Sequence, residues 1–169
     1  MLEIINNLKY FFEDCYRRIS IREYSRLSKK SPPTSSKLLK KYHKLGLLKK
    51  EESFNHIFFY ADKQSKEFVD LSRIYWNHKL KPFVNLIEKE FIESTIILFG
   101  SLAKAECKKE SDIDITIISQ KKETDLKKFK HNLKRPIQIF WFKSINEIKN
   151  KELKNNILNG YKLKGEIKI

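Results

Sequence analysis

The stretch "LFGSLAKAECKKESDIDI", Leu98 to Ile115, decides how the second half of this chain folds. An apolar run, Thr95 to Phe99, ends in Gly100-Ser101. Two aspartates, Asp112 and Asp114, follow with one isoleucine between them. The apolar run reads as a buried strand, a short helix is expected from Ser101 through Ala105, and "SDIDITII" reads as a second strand. Side chains alternate faces along a strand. Asp112 and Asp114 therefore point one way, and Ile113, Ile115 and Ile117 the other. Two carboxylates on one face can share a hard divalent cation such as Mg²⁺. A Gly-Ser turn at a helix start can offer backbone N–H groups to a phosphate. Together they suit a Mg²⁺-bound triphosphate.

Gly100-Ser101, ten residues, then Asp112-Ile113-Asp114 resembles the signature of the polymerase-β-type nucleotidyltransferase superfamily, in its minimal form. The resemblance spans roughly Glu93 to Ile169. It implies a mixed sheet with flanking helices. It also implies Asp112 and Asp114 as catalytic metal ligands and Gly100 and Ser101 as binders of the nucleotide phosphates, with Mg²⁺ and a nucleoside triphosphate as cofactor and ligand. The family's full site has a third carboxylate on a later strand. That strand is "RPIQIFWF", and Gln138 stands at the position. A glutamine is a neutral ligand and cannot act as a base. Glu106, Glu110, Glu123, Asp125 and Glu147 lie nearby in sequence, but none is expected mid-strand beside the aspartates. Ala105 stands where the family often has glycine. The C-terminal segment supplies a last helix, closed by Asn159-Gly160, and a final short edge strand.

The first sixty residues carry a different pattern. Leu2, Ile5, Leu8, Phe11, Phe12 and Cys15 recur at helical spacing. Ile19 to Ile21 suit a short strand, and a second helix is expected over about Arg22 to Leu27. In "SKKSPPTSSKLLKKYHKLG", Ser31 is an N-cap, Pro32 takes the first helical position, and Gly46 stops the helix. Leu38, Leu39, Tyr42 and Leu45 form its apolar face. "LLKKEESFNHIFFY" then reads as two strands around a turn near Ser53 to Asn55. This order, from Ile19 to Asp62, resembles the winged helix-turn-helix family. The resemblance implies that the helix beginning at Pro32 enters the major groove and the hairpin rests on the backbone or minor groove. Thr34, Ser36, Lys37, Lys40 and Lys41, with Lys49 and Lys50 on the hairpin, would then face DNA.

Charge points the same way. The formal net charge is +15, and Lys29 to Lys50 holds eight lysines with no acidic residue. A solvated helix face normally mixes signs, so this bias suits a polyanion. The stretch has no arginine, and lysine supplies point-charge phosphate contacts rather than bidentate base reading.

The chain of 169 residues is thus read as α+β, with a winged helix-turn-helix at 1–62, a helical connector at 63–92 and a nucleotidyltransferase-like domain at 93–169. The connector is expected as two helices, broken or restarted at Pro82. Trp76 and its aromatic neighbours are expected in a core or a dimer interface, and His78 and His131 away from any metal. Cys15 and Cys107 lack metal-ligand spacing. Polar residues interrupt the apolar ones at the N-terminus, so no signal peptide is read, and no apolar run reaches membrane length. A cytoplasmic protein is expected, with DNA and nucleotide as partners, no membrane association, and a homodimer suited to paired half-sites. Two functions fit. One is a DNA-binding, transcription-regulatory protein whose second domain binds Mg²⁺-nucleotide. The other is an active enzyme moving a nucleotidyl group to a hydroxyl of a protein, nucleic acid or small molecule.

Overall fold

Ile5, Leu8, Phe11 and Phe12 fall on one face of a helix, Glu3–Glu13 (α1), and all four are buried. The computed structural model describes residues 2–53, 55–91, 93–120 and 135–167. The described chain divides into two compact units.

The first unit holds residues up to Ser72 together with Ala105–Lys109. After α1 come a two-residue strand Ile19–Ser20 (β1), helix Ile21–Ser28 (α2), helix Pro32–Lys44 (α3) and the hairpin Leu48–Ser53 (β2) and His56–Ala61 (β3). Local chemistry sets the boundaries. The Ser20 hydroxyl accepts from the Glu23 N–H at the start of α2, and the Ser31 hydroxyl accepts from the Thr34 N–H at the start of α3. Each satisfies a donor that the first turn leaves unpaired. Gly46 has φ +70°, which lets the chain reverse after α3. β3 pairs antiparallel with both β1 and β2, so the sheet order is β1-β3-β2. Tyr24, Phe11, Phe12, Leu39, Leu48, Phe59 and Phe68 fill the core. Inside it the Asn7 amide donates to the Tyr42 hydroxyl at 2.9 Å, and the Tyr24 hydroxyl donates to the Asn7 carbonyl at 3.0 Å. The expected apolar face of α3 needs one correction. Leu45 is 55% exposed, because it caps the helix where the backbone already leaves helical geometry, while Ser35 is buried.

The second unit holds Arg73–Lys104 and residues from Glu110 onward. Its sheet is mixed, in the order β6-β5-β4-β7. The strands are Thr95–Phe99 (β4), Ile113–Ile118 (β5), Ile137–Phe142 (β6) and Tyr161–Lys164 (β7). β4 runs antiparallel to β5 and β7, and β5 runs parallel to β6. Every residue of β4 is buried, as a central strand covered on both faces requires. A four-residue helix, Gly100–Ala103 (α5), follows β4 directly, and helix Lys151–Leu158 (α6) precedes the edge strand β7. Ile97, Phe99, Ile145, Ile148 and Ile157 form a core cluster, with Phe140 and Phe142 packed against it.

One helix, Lys66–Glu90 (α4), replaces the two expected in the connector. Pro82 lies inside it and is exposed. The apolar stripe explains the continuity. Trp76 and Leu80 before the proline, and Phe83, Val84 and Ile87 after it, are buried and stay in helical phase. Burial across the break offsets the lost backbone bond and the ring clash, which cost about 3 kcal/mol in a helix interior. Replacing this exposed ring should therefore help. Pro82→Ala is expected to stabilise the protein by about 1–2 kcal/mol, the helix gain less the freedom restored to the unfolded chain. Denaturant melts of the two proteins check this, and an unchanged or lower midpoint would contradict it.

Candidate nucleotide and metal site

The pairing of β4 with β5 builds the site. Phe99 lies opposite Asp114 in the ladder, so the turn after Phe99 begins beside the Asp114 side chain. Gly100 takes φ +70°, a conformation that side chains disfavour. A Cβ at Gly100 would overlap Asp114 Oδ2 and come within 3.2 Å of its Cγ. Only glycine lets the backbone approach this carboxylate so closely. Ser101 follows in the first turn of α5 and is half-buried.

Asp112 lies just before β5 and Asp114 within it. Both are half-buried, while Ile113, Ile115 and Ile117 are fully buried, which is the alternation expected from the sequence. Burial pushes the Asp114 carboxyl above the usual carboxylate range, and the nearby Asp112 charge adds to it. Two carboxylates held this way gain from a shared cation.

The parallel pairing of β5 with β6 sets Gln138 opposite Asp114. The Gln138 side-chain amide donates to Asp112 Oδ2 at 2.8 Å. Gln138 thus satisfies one aspartate with a neutral donor. The other nearby carboxylates do not gather around it. Glu106 and Glu110 are exposed. Glu147 accepts the Lys143 N–H at 2.7 Å, beyond the far end of β6. Glu123, Asp125 and His131 lie outside the described residues, and His78 is exposed. Among the described residues no group of three or more His, Cys, Asp or Glu could hold a metal ion. The residues present suit one divalent cation on two aspartates.

Supports that the sequence did not reveal come from two arginines. Arg135 is buried, and its guanidinium donates to the Ser111 carbonyl at 2.8 Å. The Ile113 N–H donates to the Pro136 carbonyl at 2.9 Å. Together these fix the entry into β5 on either side of Asp112. Arg73 Nε donates to the Ala103 carbonyl at 2.9 Å, which ties α5 to α4. The register offered one clue. If Gln138 faces Asp114, then Arg135 must lie level with Ser111. Ala105, where the family often has glycine, adopts φ +54°, the left-handed region that favours glycine. The expected helix through Ala105 therefore stops at Ala103.

In the first unit, Lys37, Lys40 and Lys41 are exposed along α3. Thr34 is exposed, its hydroxyl 2.9 Å from that of Ser31, and Ser36 is half-buried. The hairpin lysines differ. Lys49 pairs with Asp62 at 3.3 Å, and Lys50 pairs with Glu52. Glu51 in turn pairs with Arg18 at 2.8 Å.

Residues 81–164 match the family model described as Polymerase beta, Nucleotidyltransferase. The match covers all four strands of the second unit and supports a nucleotidyltransferase-type fold there. Neither a curated protein nor a solved structure matches the chain. No described helix is long and apolar enough to cross a membrane.

The raised Asp114 carboxyl has a measurable consequence. A carboxyl whose folded value is raised binds its proton more tightly in the folded state. Stability therefore falls as pH rises from the ordinary value of 3.8 through the raised one. Asp114→Asn removes that penalty. It is expected to raise the melting temperature of the metal-free protein at neutral pH and to leave it unchanged below the ordinary carboxylate range. Thermal melts across pH check this, and a variant less stable than wild type at neutral pH would contradict it.

Proposed function

We propose that this is a DNA-binding, transcription-regulatory protein whose second unit binds Mg²⁺-nucleotide without efficient turnover. The observation that carries the reading is the pairing of the Gly100–Asp114 approach with Gln138 on Asp112. The first supports a clamp for a metal-bound triphosphate. The second leaves the clamp without a third carboxylate.

Asp112 and Asp114 would hold Mg²⁺, and the Gly100-Ser101 backbone would meet the phosphates. A cation bound there would neutralise phosphate charge. Attack by an acceptor hydroxyl also needs a group to take its proton, and Gln138 has no such capacity. An active nucleotidyltransferase therefore stands as the second reading. It is favoured by the aspartate pair and the glycine turn, and opposed by Gln138.

For the first unit, three helices followed by a hairpin, with a short third strand paired to β3, support a winged helix-turn-helix. α3 would lie in the major groove, with Thr34, Ser36, Lys37, Lys40 and Lys41 toward the duplex. The ion pairs of Lys49 and Lys50 neutralise the hairpin internally. α3 would then supply most of the phosphate contacts.

One set of titrations tests both halves. ATP, GTP, CTP and UTP are titrated with Mg²⁺ into wild type and into Asp112→Asn/Asp114→Asn, followed by calorimetry. Metal-dependent binding of at least one nucleotide, lost in the variant, is expected. Duplex DNA binding is then measured against salt. Neutralising Lys37, Lys40 and Lys41 together is expected to reduce the logarithmic salt slope by about 2.7, since each phosphate contact contributes about 0.9. Neutralising Lys49 and Lys50 should change it less. Metal-dependent label transfer to an acceptor by wild type would favour the enzyme reading instead. DNA affinity unchanged by loss of the α3 lysines would overturn the regulatory one.

A further inference from the structure

Cys15 and Cys107 are the chain's two cysteines, and they meet. Both are buried within the first unit, with sulfurs 3.8 Å apart. Backbone geometry fixes the encounter, because the Cys15 N–H donates to the Cys107 carbonyl at 2.9 Å. The Cys107 thiol donates to the Phe12 carbonyl, in the last turn of α1, at 3.1 Å. A thiol carries one proton, so the Cys15 thiol is left to donate to the Cys107 sulfur.

Their places in the chain give the contact its interest. Cys15 lies two residues past the end of α1. Cys107 stands in the loop that joins the Gly100-Ser101 turn to Asp112. Facing thiols add something that alanine or valine lacks. Sulfurs in contact need only a modest side-chain rotation to reach the bonded separation of about 2.0 Å, since the backbone already holds the two residues side by side.

We propose that Cys15 and Cys107 form a reversible disulfide, by which the redox state of the surroundings controls how firmly the loop before Asp112 is held. The oxidant is a peroxide or a small-molecule disulfide. With hydrogen peroxide, one sulfur as thiolate attacks an oxygen and expels hydroxide, giving a sulfenic acid. The second sulfur displaces that hydroxyl, which leaves as water. The sulfurs lose two electrons and two protons, and the peroxide is reduced to two waters. With a small-molecule disulfide, exchange gives the same bond and releases two thiols.

The contact also sets the rate. The hydrogen bond to Cys107, and then burial, push the Cys15 thiol well above its usual range. Both sulfurs are buried, so an oxidant reaches them through a local opening. The sequence neighbours Tyr16 and Lys108 are exposed, so both cysteines lie next to the surface along the chain. Once formed, the bond closes a long loop of sequence, which constrains the unfolded chain strongly.

The test uses the full chain and needs no nucleotide, so its outcome is separate from that of the function proposed above. The protein is exposed to hydrogen peroxide or to oxidised glutathione and then examined by intact mass, size, melting and hydrogen exchange. The expected product is a single chain lighter by two hydrogens, with no bond between chains and no thiol left to alkylate after unfolding, and restored by dithiothreitol. Its melting temperature should rise by about 5–10 °C. Amide exchange over residues 105–111 should slow. Cys15→Ser and Cys107→Ser should each abolish the product. The wild-type readouts stand alone if either variant folds poorly. Glutathione adducts, dimers linked between chains, or two thiols that persist through oxidation would overturn the proposal. So would a disulfide that leaves melting and loop exchange unchanged.

Discussion

The contact between Gly100 and Asp114 is the constraint on which the second unit turns. Phe99 and Asp114 face each other across two antiparallel strands. The chain must leave β4 at once, and it does so over the top of a carboxylate. That requires a residue with no Cβ and a positive φ, and Gly100 supplies both. The same turn starts α5, so one residue sets the carboxylate, the backbone N–H groups and the helix in a fixed relation. Arg73 and Arg135 hold the two ends of this arrangement, one at the close of α5 and one at the entry to β5.

Charge then decides what the arrangement can do. Two aspartates on one face repel each other, and burial makes the inner one harder to ionise. A third carboxylate would deepen that repulsion and attract more cation charge. Gln138 does the reverse, because its amide places a neutral donor on Asp112. This lowers the cost of the metal-free state and removes the capacity to accept a proton. In the first unit the same logic separates two sets of lysines. Those of α3 face solvent without an acidic residue in their stretch of sequence, while those of the hairpin are matched by Asp62 and Glu52.

Much of this was legible in the sequence because it is local. The Ser31 cap, the Gly46 reversal, the hairpin, and the strand–glycine–serine–aspartate order all depend on residues a few positions apart. The place of Gln138 beside the aspartates is what the family resemblance implies, and the strand pairing puts it opposite Asp114. What escaped depends on distant partners. The continuity of α4 through Pro82 rests on buried residues either side of the proline outweighing a local rule. Leu45 reads as apolar face by spacing, yet it sits where the helix has already ended. The hydrogen bond from Gln138 to Asp112, the Arg135 contact with Ser111 and the meeting of Cys15 with Cys107 join residues far apart in the chain. No periodicity encodes them.

The most direct test of the account is the number of divalent ions the site holds. Mn²⁺ can replace Mg²⁺ and be counted by electron paramagnetic resonance in the presence of a non-hydrolysable nucleotide triphosphate. One tightly held ion per chain is expected for wild type, none for Asp112→Asn/Asp114→Asn, and a second for Gln138→Glu. Wild type that holds no ion, or that holds one as firmly without Asp112 and Asp114, would contradict the account.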